Sequence, residues 1–224
     1  MRVGLVGDSL TEGRPGVSFA KILQEYYPHI TFDNLGKPGE TIKSLHERLI
    51  KTPIAFDYDL IFLWIGVNDV YSKLLSVQAQ PVTKDLDEFR EVFQKVVEIV
   101  LHFAKQVVIV SPAFAGENVN STPNSDLKDL HETIQSISSN YPQVHLLDLY
   151  TLFKKHLGQV KGSGYLNTNV LRVMVDTLFY KNPKRIDRLS MKRGLHFTLD
   201  GIHFNSKGAK LVAEEYAKMI DRLS

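Results

Sequence analysis

Two widely separated segments of the chain carry side chains whose types and spacing could do chemistry together. Ser9 follows a short apolar run, Val3-Gly4-Leu5-Val6, that stops at Gly7-Asp8. The run has the length, β-enrichment and flanking glycines of a buried strand, which puts Ser9 at that strand's carboxyl end. In an open α/β sheet, ligands bind there. Gly7 lets the backbone turn without a Cβ, so the Ser9 hydroxyl can point into a crevice rather than into the core. A hydroxyl so placed can act as a nucleophile if a base takes its proton. Near the other end, Asp200-Gly201-Ile202-His203 sets a carboxylate and an imidazole three residues apart, just before a helix. That spacing lets the carboxylate reach the near ring nitrogen. It would fix the tautomer and stabilise the imidazolium, leaving the far nitrogen free to take a proton from Ser9. Each segment also has a plainer reading, with Asp8 and Ser9 as helix caps and Asp200-x-x-His203 as a cap followed by a surface histidine.

The intervening elements decide whether these groups can meet. Ile30 to Leu35 reads as a second strand, ending in Asn34-Leu35-Gly36-Lys37-Pro38-Gly39-Glu40-Thr41, a turn whose N–H groups can face outward, with Thr41 as cap of a helix through Ile50. Leu60 to Ile65 is a continuous apolar run, expected as a central strand covered on both faces, and it ends in Gly66-Val67-Asn68-Asp69. Parallel strands end on one side of a sheet, so Ser9, the Gly39 loop and Asn68 should converge on one edge. A long amphipathic helix is expected from Asp85 to Ala104, then strands at Gln106–Val110 and Val144–Leu149 with a helix at Leu127–Ile137 between them. A last helix is capped by Asn205. This alternation predicts an α/β, three-layer α/β/α sandwich around a parallel five-stranded sheet. Asp148, at the end of the fifth strand, is a rival to Asp200 as partner of a histidine.

Residues 155–197 break the alternation. A glycine-containing loop leads to the largely apolar stretch Val170 to Tyr180 and then to the basic stretch Lys181 to Arg193. Val170 to Tyr180 is apolar on more than one helical face and lies just before the Asp200 loop, so it is expected to form a pocket wall, a lid or a dimer contact, with Met174 and Phe179 as candidate substrate-binding residues. The basic stretch reads as a solvated surface rather than an anion site.

Four segments resemble, in order and over nearly the whole chain, the blocks of the SGNH, or GDSL, hydrolases: Gly7-Asp8-Ser9-Leu10, Asn34 through Gly39 to Thr41, Gly66-x-Asn68-Asp69, and Asp200-x-x-His203. The resemblance implies a flavodoxin-like sheet, Ser9 as nucleophile, His203 as general base and then acid, and Asp200 as orienting carboxylate. It implies an oxyanion hole formed by the backbone N–H groups of Ser9 and Gly39 and the amide of Asn68. Gly36 is the less favoured second donor, because Gly39 is the glycine followed by the Glu40-Thr41 pair. Phe204 departs from the proline or leucine that many relatives carry after the histidine, and is expected to shape the pocket wall.

Composition narrows the alternatives. With 224 residues, 43% hydrophobic and 23% charged, the chain fits one domain spanning 1–224, able to bury about 70% of its unfolded surface. A net charge of +2 does not call for nucleic acid. The absence of cysteine excludes disulfides, thiolate zinc sites and a cysteine nucleophile. No apolar run approaches the ~20 residues of a membrane span, and no leader precedes the first strand, so a cytoplasmic protein is expected unless a leader was removed. His46-Glu47 and His131-Glu132 each lack the second histidine of a zinc helix, and dinucleotide and phosphate-loop motifs are missing. The reading is a serine hydrolase without metal or cofactor, cleaving small or medium acyl esters, with O-acetylated carbohydrate among the candidates. An acyltransferase using the same acyl-serine and a non-catalytic ligand-binding module are the alternatives. The partner is a small-molecule ester, and a homo-oligomer is left open.

Overall fold

Hydrophobic runs with strand spacing build the centre of the molecule. The computed structural model describes residues 1–75, 80–180 and 182–224, with the side chains of residues 170, 171, 173, 174 and 177 outside that description. Five strands, β1 (Arg2–Gly7), β2 (Thr31–Gly36), β3 (Tyr58–Trp64), β4 (Ala104–Val110) and β5 (Val144–Leu147), form one parallel sheet in the order β2-β1-β3-β4-β5. The chain leaves β1 for one edge and returns to β3 on its other side, so the switch point of the sheet lies between β1 and β3. The segments after these two strands therefore face one crevice.

The connections are α1 (Ser9–Glu12), α2 (Phe19–Tyr26), α3 (Ile42–Lys51), α4 (Val67–Tyr71), α5 (Leu86–Leu101), α6 (Thr122–Ser138), α7 (Leu149–Leu157), α8 (Val170–Phe179), α9 (Pro183–Lys192) and α10 (Ser206–Leu223). On one face, α2 packs against α10. There Phe62 stacks on Tyr216 at 4.3 Å and Phe19 meets Trp64 edge-on at 5.7 Å. On the other face α3 packs on α5 and α5 on α6, and Phe89, Phe93, Val96, Val97 and Val100 bury one stripe of α5. The expected three-layer α/β/α sandwich is the observed fold.

Several boundaries depart from the sequence reading. Strand β5 stops at Leu147 because Asp148 caps α7, accepting from the Thr151 N–H at 2.9 Å. Helix α7 was not expected, since its first apolar residues continue the run of the strand before it. Helix α5 ends at Leu101 rather than Ala104, which opens β4, and Asp85 caps its start by accepting from Glu88 N–H at 2.9 Å. Helix α6 starts five residues before Leu127, with a proline in its first turn. The basic stretch is helical as α9. No helix among the described residues is long and apolar enough to cross a membrane.

Candidate active site

Strand β1 delivers Ser9 to the sheet edge, and the local sequence holds it there. Asp8 caps α1 by accepting from Leu10 N–H at 2.9 Å, which leaves Ser9 as the first helical residue. Its backbone N–H is one of the donors a helix start leaves without an intrahelical partner. A Cβ on Gly7 would collide with the Trp64 carbonyl and the Thr11 side chain, so only glycine allows β1 to run beside β3 into α1 here.

The Asp200–His203 loop lies opposite. Ser9 Oγ is 3.0 Å from His203 Nε2, and His203 Nδ1 is 2.8 Å from Asp200 Oδ2. The other Asp200 oxygen accepts from Ile202 N–H at 3.0 Å and His203 N–H at 2.8 Å. Donating Nδ1–H to the carboxylate leaves the Nε2 lone pair for the serine hydroxyl. All three side chains are buried. Burial alone would push the Asp200 carboxyl up, but the His203 charge and these N–H bonds outweigh it and hold it below its ordinary value. Burial likewise opposes the His203 imidazolium, and the Asp200 carboxylate outweighs it, so His203 titrates above its usual range.

On the third side, Asn68 stands in the first turn of α4. Its Nδ2 donates to the Glu40 carbonyl at 2.9 Å and to Asp8 Oδ2 at 3.1 Å. Gly39 lies exposed with φ +76, a conformation that favours glycine, and its N–H meets no acceptor among the described residues. The Gly36 N–H is already spent on Asn34 Oδ1 at 3.1 Å, which disfavours Gly36 as a donor to a ligand. Arg48 clamps Glu40 through two bonds, at 2.5 and 2.7 Å, and so anchors the Gly39 turn. Beneath the site, burial raises the carboxyls of both Asp8 and Asp69 to about 7. Asp69 accepts from Ile42 N–H at 3.0 Å through one oxygen, while the other is buried without a partner among the described residues.

Asp148 is remote from this cluster. Besides capping α7 it sits 3.7 Å from His131, and His203 is paired to Asp200 instead. The Phe204 ring is buried, stacked on Trp64 at 5.8 Å and on Phe153 at 5.7 Å, and it lines a small cavity beside Glu117, Thr198 and Gly201. Phe179 is 67% exposed on α8, and the Met174 side chain lies outside the described residues. What borders the Asp200 loop directly is the segment before α8. Asn167 N–H donates to the Asp200 carbonyl at 2.9 Å, Tyr71 Oη donates to the Asn167 carbonyl, and Leu166 faces Gly201. Helix α8 is tied in through Asp176, which pairs with Arg193 at 2.9 Å while Arg193 also donates to the Leu199 carbonyl. The sequence reading missed Arg48, Tyr71, Asn167 and Arg193, and the Asp8 bond to Asn68, whose roles arise from partners distant in the chain. For Asp8 the motif itself was the available signal.

Fold and site together define a doubly wound α/β protein with a serine, a histidine and an aspartate in contact at the switch point of its sheet. The chain belongs to the GDSL-like lipase/acylhydrolase family, whose model matches residues 3–216, and it is an ester hydrolase. Solved structures share the fold. An acetyl xylan esterase, AlAXEase, is 21% identical, with 98% of this chain and 100% of that one covered and a TM-score of 0.71. An acetylxylan esterase from Geobacillus stearothermophilus is 18% identical, covering 98% and 93%, with a TM-score of 0.68. A lipolytic protein of the G-D-S-L family from Veillonella parvula is 17% identical, covering 99% of both chains, with a TM-score of 0.66. By sequence, none of the curated proteins matches the chain.

Proposed function

We propose that this ester hydrolase works through an acyl-serine intermediate on Ser9, with residues 1–224 acting as one catalytic domain. The observation that carries the reading is the buried run of contacts from Ser9 Oγ to His203 Nε2 at 3.0 Å and from His203 Nδ1 to Asp200 at 2.8 Å. His203 takes the serine proton as Oγ attacks the ester carbonyl, then gives it to the leaving alcohol. Water reverses the sequence and frees the acid. Asp200 holds the ring and stabilises its cation. The charge developing on the carbonyl oxygen is met by the N–H groups of Ser9 and Gly39 and by the Asn68 amide. Of the two bonds made by Asn68 Nδ2, the longer one, to Asp8, is the one shared with the oxyanion.

Acetyl esters of carbohydrate are the first substrate class to test, since two of the structural relatives are acetyl xylan esterases. The wall on the acyl or alcohol side is assigned to Tyr71 and the segment from Tyr165 to Asn167, with α8 behind it. Turnover should be compared on aryl esters of graded chain length, acetylated xylo-oligosaccharides and acyl thioesters, alongside labelling by an aryl organophosphonate. The expected result is one adduct on the peptide containing Ser9, absent in Ser9→Ala, and turnover highest on acetyl esters. Ester turnover without labelling of Ser9 would overturn the reading.

A further inference from the structure

A buried carboxylate outside the catalytic cluster grips the loop that carries it. Glu117 lies between β4 and α6 and is 2% exposed, yet no cation pairs with it among the described residues. Its partners are four donors about 80 residues further on. Oε2 accepts from His196 N–H at 2.6 Å. Oε1 accepts from Phe197 N–H at 2.8 Å, Thr198 N–H at 2.9 Å and the Thr198 hydroxyl at 2.8 Å. Burying a charge is costly unless hydrogen bonds satisfy it, and here backbone amides do most of that.

The segment so held is the root of the Asp200–His203 loop. Asn205 N–H donates to the Phe197 carbonyl at 3.0 Å, Leu199 N–H donates to the His203 carbonyl at 2.6 Å, and Thr198 bridges Phe204. Residues 197–205 therefore close on themselves, and the Asp200–His203 pair is internal to that closed unit. Contact with Ser9 is not internal to it, because that depends on where the unit sits relative to the sheet. Glu117 supplies a charged link at its root; backbone bonds add others, from Gly116 N–H to the Gly201 carbonyl at 2.7 Å, from Asn167 N–H to the Asp200 carbonyl at 2.9 Å and from Val17 N–H to the Phe204 carbonyl at 2.9 Å. The gripping turn is itself held rigid. Asn124, buried at the start of α6, accepts from Ala115 N–H at 2.9 Å and donates to the Asn118 carbonyl at 2.8 Å.

We propose that Glu117 is a positioning residue of the reaction: its carboxylate fastens the root of the 196–205 loop to the turn between β4 and α6 and so helps set the reach of His203 to Ser9. The inference rests on the reading of Ser9 and His203 as nucleophile and base. It separates two distances that a triad is usually taken to share. Weakening Glu117 leaves the Asp200–His203 bond intact and loosens the His203–Ser9 contact, and displacements of about 1 Å at a reacting group cost on the order of 100-fold in rate.

Glu117→Gln keeps the shape but leaves a single acceptor oxygen and sets an amide donor against one of the four donors. With a short aryl acetate, kcat should fall by about 10- to 100-fold with KM changed by less than about twofold. The acid-limb midpoint of the kcat/KM pH profile should stay at the parent value, because Asp200 still sets it. Phosphonylation of Ser9 should slow in parallel with kcat. Thr198→Val, which removes one of the four donors, should lower kcat severalfold in the same pattern and decides the matter if Glu117→Gln does not fold. A folded Glu117→Gln or Thr198→Val with parental kcat and a lower Tm would overturn the proposal by showing a stabilising role only. A midpoint shifted as far as in Asp200→Asn would also overturn it, since Glu117 would then act on the imidazole itself. Ser9→Ala run in parallel separates this from a failure of the nucleophile reading, which alone would leave Ser9→Ala active.

Discussion

Asp69→Asn should make the protein more stable at pH 8 and leave it nearly unchanged at pH 4. Burial raises the Asp69 carboxyl from 3.8 to about 7, with the nearby Asp8 carboxylate adding to the effect. The folded chain thus keeps a proton on Asp69 up to about pH 7, whereas the unfolded chain releases it near pH 4. Between these values the native state binds more protons, so stability falls as pH rises. A gap of about three pH units at ~1.4 kcal/mol each amounts to about 4 kcal/mol, lost by the parent between pH 4 and pH 7. Asparagine has the same shape, cannot ionise, and can still accept from Ile42 N–H as Asp69 does now. Its NH2 group takes the place of an oxygen that lacks a partner among the described residues, so the cost there is similar at every pH. The quantity to measure is the difference in stability between variant and parent, which should grow by about 4 kcal/mol from pH 4 to pH 8. For a chain of this length that is roughly 8–16 °C in Tm. Thermal unfolding by circular dichroism at one-unit pH steps and constant ionic strength reads it directly. A difference that stays flat with pH would refute the reasoning, because Asp69 would then ionise as readily in the fold as in the unfolded chain.

Four further outcomes are expected. Ser9→Ala should abolish ester turnover, and adding His203→Ala should lower the residual rate little further, because members of one catalytic unit do not lose independently; full multiplication of the two losses would break the assignment. Asp200→Asn should cost about ten-thousandfold in kcat, while Asp148→Asn should leave kcat at the parental value and cost little stability, since asparagine caps a helix about as well as aspartate; the reverse pattern would exchange their roles. Activity should rise with pH, with the midpoint of kcat/KM above the ordinary histidine value of 6.5, because Asp200 holds His203 protonated and the base must be neutral to accept the serine proton; a midpoint below 6.5 would contradict the observed pairing. A chelator should leave turnover unchanged, and inhibition reversed by a divalent metal would show that the reaction needs one.

The order of elements and the segments that meet were legible in the chain because both are local properties. Apolar runs of strand length, ended by glycine and a short polar residue, marked the ends of β1 and β3, and parallel strands put those ends on one edge. The Asp200–His203 contact is an i, i+3 pair, so its spacing could be read without any tertiary contact. Helix α7 was hidden because β5 runs into it with one aspartate between, and an apolar run does not reveal where period two becomes period 3.6. What Phe204 packs against was not legible, because the neighbours of a residue in a loop are set by tertiary contacts, here with Trp64 and Phe153, rather than by its neighbours in sequence. The outward face of α8 shows the same limit, since Val175, Leu178 and Phe179 are exposed despite their apolar character. Above all, the groups that hold the site in place were decided only by the fold. Asn68 bonds a loop 28 residues earlier, and Glu117 grips amides about 80 residues later. Backbone amides carry no residue identity, so nothing in the sequence around positions 196–198 announces that a distant carboxylate will bind them.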